Sequence, residues 1–111
     1  LDRGEWGGHP GGHAPGLACE TVDWIHEKQI AGICSDTWGI EVRPNETVPG
    51  IFQPWHQVTI PYIGISHGEI WYLRELVEDC AKDGVWEFFL AAPPLVIPKR
   101  TGSPLNPQAI K

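Results

Sequence analysis

The sequence contains no methionine and few basic residues. Its 111 residues include 8 Lys and Arg against 14 Asp and Glu, which gives a net charge of −6. Nucleic-acid binding relies on Lys and Arg to neutralise phosphates, so this balance disfavours a nucleic-acid partner. The start at Leu1 without a methionine indicates a cut or trimmed chain, because removal of an initiator methionine requires a small second residue.

Long hydrophobic runs and patterned cysteines are also absent. The longest apolar stretches, such as residues 88–92, fall far short of the roughly 18 residues that a membrane span needs, and no signal-peptide core is present. We therefore expect a soluble protein without a membrane partner. Cys19, Cys34 and Cys80 are odd in number and widely spaced, which favours buried, reduced thiols and a cytoplasmic location. The sequon at residues 45–47 leaves secretion open.

The chain divides by composition into a loop and one α/β region. Residues 1–16 contain six Gly and two Pro and are predicted to form a loop, because such a segment loses too much backbone entropy on ordering. Residues 17–111 are predicted to form part of a single domain. Its first half is expected to hold an amphipathic helix over 17–28, a buried strand over 30–34, an extended piece over 36–42 and a loop over 43–54.

The second half shows clearer helix signals. Residues 56–63 predict a short helix that is interrupted near Pro61 and ended by Gly64. Apolar residues at helical spacing over 73–81 predict an amphipathic helix that stops at Gly84. Residues 85–92 read as a strand, and residues 95–97 resume the sheet after Pro93-Pro94. The order of elements indicates a mixed α/β fold.

Several histidines and carboxylates are candidates for a metal site. His9 and His13 lie four residues apart in the Gly-rich loop, where two exposed imidazoles without a fixed backbone are favoured over a metal clamp. His26 is expected at a helix surface, and Asp36 is interpreted as a turn residue rather than a site carboxylate. No catalytic triad order, phosphate-binding glycine loop or CxxC pair is present.

His56 and Glu69 are the stronger pair. Each lies at the edge of a structured segment, after Trp55 and Gly68 respectively. Neutral imidazole and carboxylate are ligands that zinc and manganese both accept. Spacing alone leaves open whether the two share a metal.

The same region resembles a known family. Residues 56–69, HQVTIPYIGISHGE, and the following positions through Gly84 resemble the cyclase family, the metal-dependent hydrolase superfamily that includes bacterial kynurenine formamidase and isatin hydrolase. Residues 92–98, 102–107 and 109–110 are similar to the family's C-terminal signature. Upstream, residues 15–17, 24–25, 33–38 and 41–42 also match. The resemblance covers nearly all of the chain after residue 15, with its motifs in the right order.

The resemblance implies a fold, a metal and a reaction. The fold would be the C-terminal portion of a swivelling β/β/α arrangement. His56 and Glu69 match the family's C-terminal metal ligands, so Zn²⁺ or Mn²⁺ is the implied cofactor. The implied reaction is hydrolysis of a cyclic or N-acyl amide in a small-molecule substrate by a metal-activated water.

The resemblance also implies that some of the metal ligands are supplied by another polypeptide segment. The family's N-terminal HxGTHxD motif has no counterpart here, since residues 9–13 lack its threonine and aspartate. A polypeptide carrying that motif is therefore an expected partner, together with further copies in a homo-oligomer, and the 111 residues alone are expected to be inactive. Trp38, Trp55 and Trp71 either line an aromatic substrate pocket or pack in the core. A non-catalytic remnant or binding module of the same fold is the alternative.

Overall fold

The computed structural model describes residues 11–111, which form two units. The described part of the first unit ends at Tyr72, and the second unit is Leu73–Lys111. The described part of the first unit contains helix α1 (Thr21–Glu27), strand β1 (Gly32–Cys34), helix α2 (Pro54–Val58), a π-helical turn (Thr59–Ile63) and strand β2 (Ser66–Gly68). The second contains helix α3 (Arg74–Asp83) and strands β3 (Phe89–Ala91) and β4 (Gln108–Ile110). This mixture of helices and strands is consistent with the expected α/β class.

The first unit is organised around a parallel strand pair and a small apolar core. Strands β1 and β2 pair in parallel, with Ile33 opposite His67. The buried core consists of Ile25 from α1, Trp55 from α2, and Ile40 and Ile65 from the connecting segments. Trp55 is completely buried, and its indole N–H donates to the Thr21 hydroxyl at 3.0 Å. The core therefore ties both helices of this unit to the segment that contains Ile40.

Gly16 lets two backbone segments approach closely. Leu17 N–H donates to Ile40 O at 2.8 Å, and Val42 N–H donates to Leu17 O at 3.0 Å. A Cβ added at Gly16 would overlap the backbone of Ile40, Glu41 and Val42. Because backbone atoms cannot rotate away as a side chain can, glycine is required at this crossing. The crossing fixes the position of Glu41.

Gly16→Ala is expected to lower the free energy of unfolding by about 3 kcal/mol, because the added methyl group forces two backbone segments apart. Chemical denaturation of the variant measures the effect. Gly102→Ala is the matched control, since an added Cβ there meets no atom within 4 Å. Equal stability of the two variants would contradict the close packing at Gly16.

The predictions for residues 17–42 are partly wrong. Helix α1 begins at Thr21 instead of near Leu17, because Leu17 pairs with Glu41 in an isolated parallel bridge. Strand β1 forms where predicted but is not fully buried: Ile33 is half-buried and its two neighbours are exposed. Residues 36–42 form no continuous strand, because Gly39 adopts a positive φ of 76° that interrupts an extended backbone.

The predicted short helix and its stop at Gly64 are present with different bounds. Helix α2 begins at Pro54, whose fixed φ suits the first turn of a helix. Pro61 has no N–H to donate, and the chain widens into the π-helical turn around it. Gly64 ends this turn at φ 80°, and its N–H donates to Thr59 O at 2.9 Å.

The second unit confirms the predicted amphipathic helix and corrects the strands. Helix α3 ends at Gly84, as predicted, with φ 72°. Strand β3 is shorter than residues 85–92 and pairs antiparallel with β4, which the sequence did not predict. Residues 95–97 form no strand, since prolines flank them on both sides, and Leu95 N–H donates instead to Ser103 Oγ at 3.1 Å.

The side chain of Lys111 contacts residues at the end of α3 and just beyond it. The Lys111 ammonium group donates to Asp83 Oδ1 at 2.9 Å and to Val85 O at 3.0 Å. The Val85 N–H and this ammonium group together lower the pKa of Asp83. These contacts join the end of β4 to the end of α3.

The three cysteines differ in exposure. All three are free, but only Cys80 is buried; Cys19 is half-buried and Cys34 is exposed. The prediction of buried thiols is therefore wrong for Cys34, which is exposed at the end of β1. Burial of the sulfur nevertheless raises the pKa of Cys34. Within residues 11–111, no helix is long and apolar enough to cross a membrane.

Candidate metal site

A buried carboxylate organises the first turn of α2. Glu41 is 1% exposed. Its Oε1 accepts a hydrogen bond from Trp55 N–H at 3.3 Å, and its Oε2 accepts one from His56 N–H at 3.0 Å. These N–H groups have no partner within a helix, so the carboxylate both satisfies them and is held by them.

The His56 imidazole lies between two carboxylates. Its Nδ1 is 2.6 Å from Glu41 Oε2, and its Nε2 is 3.0 Å from Glu69 Oε1. Two protonation patterns fit this geometry. Either the ring donates a hydrogen bond at both nitrogens, or it donates at Nδ1 and offers the Nε2 lone pair to a cation shared with Glu69. In both patterns, Glu41 fixes the orientation of the ring.

Glu69 is held by the turn that follows β2. Ile70 N–H donates to Thr37 O at 3.1 Å, and Trp71 N–H donates to Ser35 O at 2.9 Å. Gly68 permits this turn to pack closely, since a Cβ there would come within 2.7 Å of both Cys34 Sγ and the Trp71 ring. Glu69 therefore projects from an anchored backbone, with its side chain one-third exposed.

A second histidine lies behind the pair. The His67 ring stacks on Trp55 with centroids 4.9 Å apart and meets the His56 ring edge-on at 4.9 Å. The Thr59 hydroxyl donates to Trp55 O at 2.8 Å. Its one proton is thereby used, so it accepts at 3.0 Å from His67 Nε2–H.

The surroundings of His67 lower the pKa of its imidazole. Burial lowers the pKa of His67, and the neighbouring His56 lowers it further. The buried Nδ1 of His67 has no hydrogen-bond partner among the described residues. His67 thus packs against the His56 ring in surroundings that favour its uncharged form.

Thr59→Val is expected to lower the free energy of unfolding by about 1 to 3 kcal/mol, because it leaves the buried His67 Nε2–H without an acceptor. Thermal or denaturant unfolding measures this loss. Thr59→Ser keeps the hydroxyl and is the matched control. A valine variant as stable as the serine variant would show that the Thr59–His67 hydrogen bond contributes nothing.

The donor pair fits two positions of a metal site. His56 Nε2 and Glu69 Oε1 approach each other, and the buried Glu41 carboxylate holds Nδ1 on the other side of the ring, as carboxylates commonly do for metal-bound histidines. Within residues 11–111, however, no group of three or more His, Cys, Asp or Glu side chains could hold an ion. Catalytic zinc usually has three protein ligands, so any further ligands must come from elsewhere.

The three candidate substrate-binding tryptophans lie in different surroundings. Trp55 is in the core, where its backbone N–H donates to Glu41 and its ring contacts the His56 and His67 rings. Trp71 is half-buried beside Gly68, next to Glu69 in sequence. Trp38 is half-buried, with the Arg43 guanidinium carbon 4.7 Å from its ring centroid.

The weaker candidates do not join this cluster. His9 lies outside the described residues, and His13 is exposed. His26 is exposed in the last turn of α1, as expected. Asp36 is exposed in the turn after β1, where the Ser35 and Thr37 hydroxyls bond to each other at 2.8 Å.

Sequence reasoning missed three contributors to the site. It placed Glu41 on the polar side of an extended segment, and it gave Thr59 and His67 no role. A single acidic residue between Ile40 and Val42 was the available signal for Glu41. Local patterning could not reveal its burial, because its partners lie 14 and 15 residues further along the chain.

The chain resembles a protein of known structure. No family model and no curated protein matches the chain. The chain is similar, however, to a crystal structure described as that of a novel cyclase, with 46% identity and a TM-score of 0.78. This likeness supports a cyclase-family relationship. The match covers 89% of this chain but only 31% of the cyclase chain, so the sequence spans about a third of that protein's length.

Proposed function

We propose that this chain is the C-terminal portion of a metal-dependent amide hydrolase of the cyclase family. The observation that carries the proposal is the arrangement of His56, whose Nε2 faces Glu69 at 3.0 Å while buried Glu41 holds its Nδ1 at 2.6 Å. The similarity to a cyclase over 89% of the chain supports it. In this proposal the fold is the C-terminal part of the swivelling β/β/α arrangement.

The chain's residues would have distinct roles. His56 Nε2 and Glu69 Oε1 would hold Zn²⁺ or Mn²⁺, and Glu41 would keep the imidazole in the tautomer that presents Nε2. A divalent ion bound there would acidify a water molecule and polarise the amide carbonyl. Trp71, next to Glu69 and half-buried, would contribute to the wall against which a small-molecule amide rests.

The remaining ligands are proposed to lie outside this chain. Two donors do not complete a catalytic site, and the chain matches only 31% of the similar cyclase. A polypeptide with an HxGTHxD-type motif would supply the others, within a homo-oligomer. The 111 residues alone would then bind metal weakly and hydrolyse nothing.

The test uses the complete protein that contains this chain. Metal analysis should find bound zinc or manganese. The protein should hydrolyse N-acyl and cyclic amides. A chelator should abolish this activity, and either ion should restore it. Titration of metal into the stripped protein should release protons, because metal displaces protons from its ligands.

A non-catalytic module of the same fold is the competing function. The observation in its favour is that residues 11–111 hold only an incomplete donor set. Absence of metal from every preparation, together with no proton release on titration, would support the module and overturn the enzyme. Bound metal without hydrolysis of any amide would retain the site and overturn the reaction.

A further inference from the structure

Hydrogen bonds alone do not fix the plane of the His56 ring in the form that binds a metal. In the tautomer that presents the Nε2 lone pair, Nε2 has no proton to donate to Glu69. The ring is then anchored only at Nδ1, which lies 2.6 Å from Glu41 Oε2. One hydrogen bond fixes the distance of one atom, whereas the terminal torsion of a histidine side chain has broad minima. A further contact is required to keep the ring from turning.

The His67 ring provides a contact of this kind. It meets the His56 ring edge-on, with centroids 4.9 Å apart and ring planes at 84°. The Trp55 ring contacts His56 less closely, at 5.6 Å. Rotation of one ring in a perpendicular contact drives its atoms into the other ring, and a closely packed interior leaves no space for that overlap. His67 therefore blocks rotation of the His56 imidazole on the side that it occupies.

Three separate contacts hold His67 in place. Its backbone pairs with Ile33 in the parallel strand pair. Its ring stacks on the fully buried Trp55 ring, with centroids 4.9 Å apart and an angle of 28° between the planes. Its Nε2–H donates to the Thr59 hydroxyl at 3.0 Å, and this hydroxyl donates to Trp55 O at 2.8 Å. A ring held in these three ways resists displacement when the His56 ring turns.

Fold stability does not account for a histidine at position 67. The buried Nδ1 of His67 has no hydrogen-bond partner among the described residues. A buried polar atom without a partner costs free energy, and an aliphatic side chain of similar volume would avoid that cost. Nor does His67 complete a donor set with His56 and Glu69 among residues 11–111. A planar ring that is anchored through one nitrogen is what histidine offers here and an aliphatic side chain does not.

We propose that His67 is a positioning residue, which holds the plane of the His56 imidazole so that Nε2 stays directed at Glu69. It acts through the contact between the two rings, and it neither binds the metal nor touches the substrate. A ring that is already held in place loses less rotational freedom when a metal binds, so the site binds the metal more tightly. This effect on metal binding rests on the proposed function, whereas the effect on the His56 ring does not.

NMR of the complete, metal-free protein tests the effect on the ring. The side chains of His56 and Glu41 are only 15% and 2% exposed, so the proton on His56 Nδ1 should exchange slowly with water. His67→Leu removes the aromatic ring and should accelerate this exchange at least roughly tenfold, while His67→Phe keeps a ring and should change it less than about threefold. Amide spectra establish that both variants are folded. An unchanged exchange rate in His67→Leu would overturn the proposal.

Zinc affinity of the complete protein tests the consequence for the site. In competition with a chelator, His67→Leu should weaken zinc binding by about tenfold and His67→Phe by less than about threefold. His26→Leu is the control, since His26 is exposed in α1. Equal losses in the leucine and phenylalanine variants would assign the effect to the nitrogen atoms of His67 and overturn a role of ring contact.

The two measurements also distinguish this proposal from the proposed hydrolase. Proton exchange at His56 requires neither metal nor substrate. If the unmodified protein binds no zinc but exchange still separates His67→Leu from His67→Phe, the hydrolase proposal fails and the positioning role of His67 is supported.

Discussion

Glu69→Gln in the complete protein is expected to reduce amide hydrolysis by roughly a thousandfold or more. A metal supplies several kcal/mol of transition-state stabilisation, and each 1.36 kcal/mol changes a rate tenfold. The amide of glutamine keeps nearly the same shape but carries no charge, so it is a poor ligand for a divalent ion. Steady-state kinetics and metal analysis of the purified variant measure both losses.

The His56→Ala variant should show the same loss. Glu27→Gln and His26→Ala are matched controls, because both residues are exposed in α1 and lie outside the candidate site. The controls should retain full metal content and activity. If Glu69→Gln retained the metal content and kcat of the unmodified protein, Glu69 would not be a ligand, and the proposed site would be wrong.

Glu41→Ala is expected to lower the free energy of unfolding by about 3 kcal/mol or more. The substitution removes the acceptor for Trp55 N–H and His56 N–H and leaves the His56 ring without its partner at Nδ1. Each buried donor without an acceptor costs about 1 to 3 kcal/mol. Chemical denaturation measures the change, with Glu46→Ala at an exposed position as the control.

The Glu41→Gln variant separates the contribution of Glu41 to fold stability from its contribution to orienting the His56 ring. Glutamine retains one carbonyl acceptor and should recover much of the stability. It lacks the charge that makes the imidazole a stronger ligand, so metal affinity should fall by about 10 to 100-fold. Competition with a metal chelator measures this affinity. Unchanged affinity in a folded Glu41→Gln protein would mean that Glu41 stabilises the fold without supporting the metal site.

Elements with strong local signals were predictable from the sequence. Helix α3 follows an apolar pattern of helical period and stops at Gly84, because only glycine adopts a positive φ at low cost. The stop at Gly64 has the same cause. The pairing of His56 with Glu69 was proposed from their neighbours and from the family resemblance, and the structure places the two side chains 3.0 Å apart.

Elements that depend on distant partners were not predictable in this way. Strand β4 has no strong pattern of its own and forms by pairing with β3 some 19 residues away, as the register of Ala109 with Leu90 shows. The segment over 36–42 carries an alternating pattern, yet among the described residues it forms only one isolated bridge, between Glu41 and Leu17. Alternation records which side chains are apolar, while strand formation requires a partner backbone in register.

The features of the candidate site also separate into those that the sequence predicted and those that only the tertiary structure shows. The sequence predicted the helix stops from local backbone preference, and it offered His56 and Glu69 as a candidate donor pair from side-chain chemistry together with the family resemblance. Only the tertiary structure decided that Glu41 is buried and bonds to the first turn of α2, and that the His67 ring stacks on Trp55 and meets the His56 ring edge-on. Those features arise from contacts between residues far apart in sequence, whose free energies depend on burial and geometry that no local pattern contains.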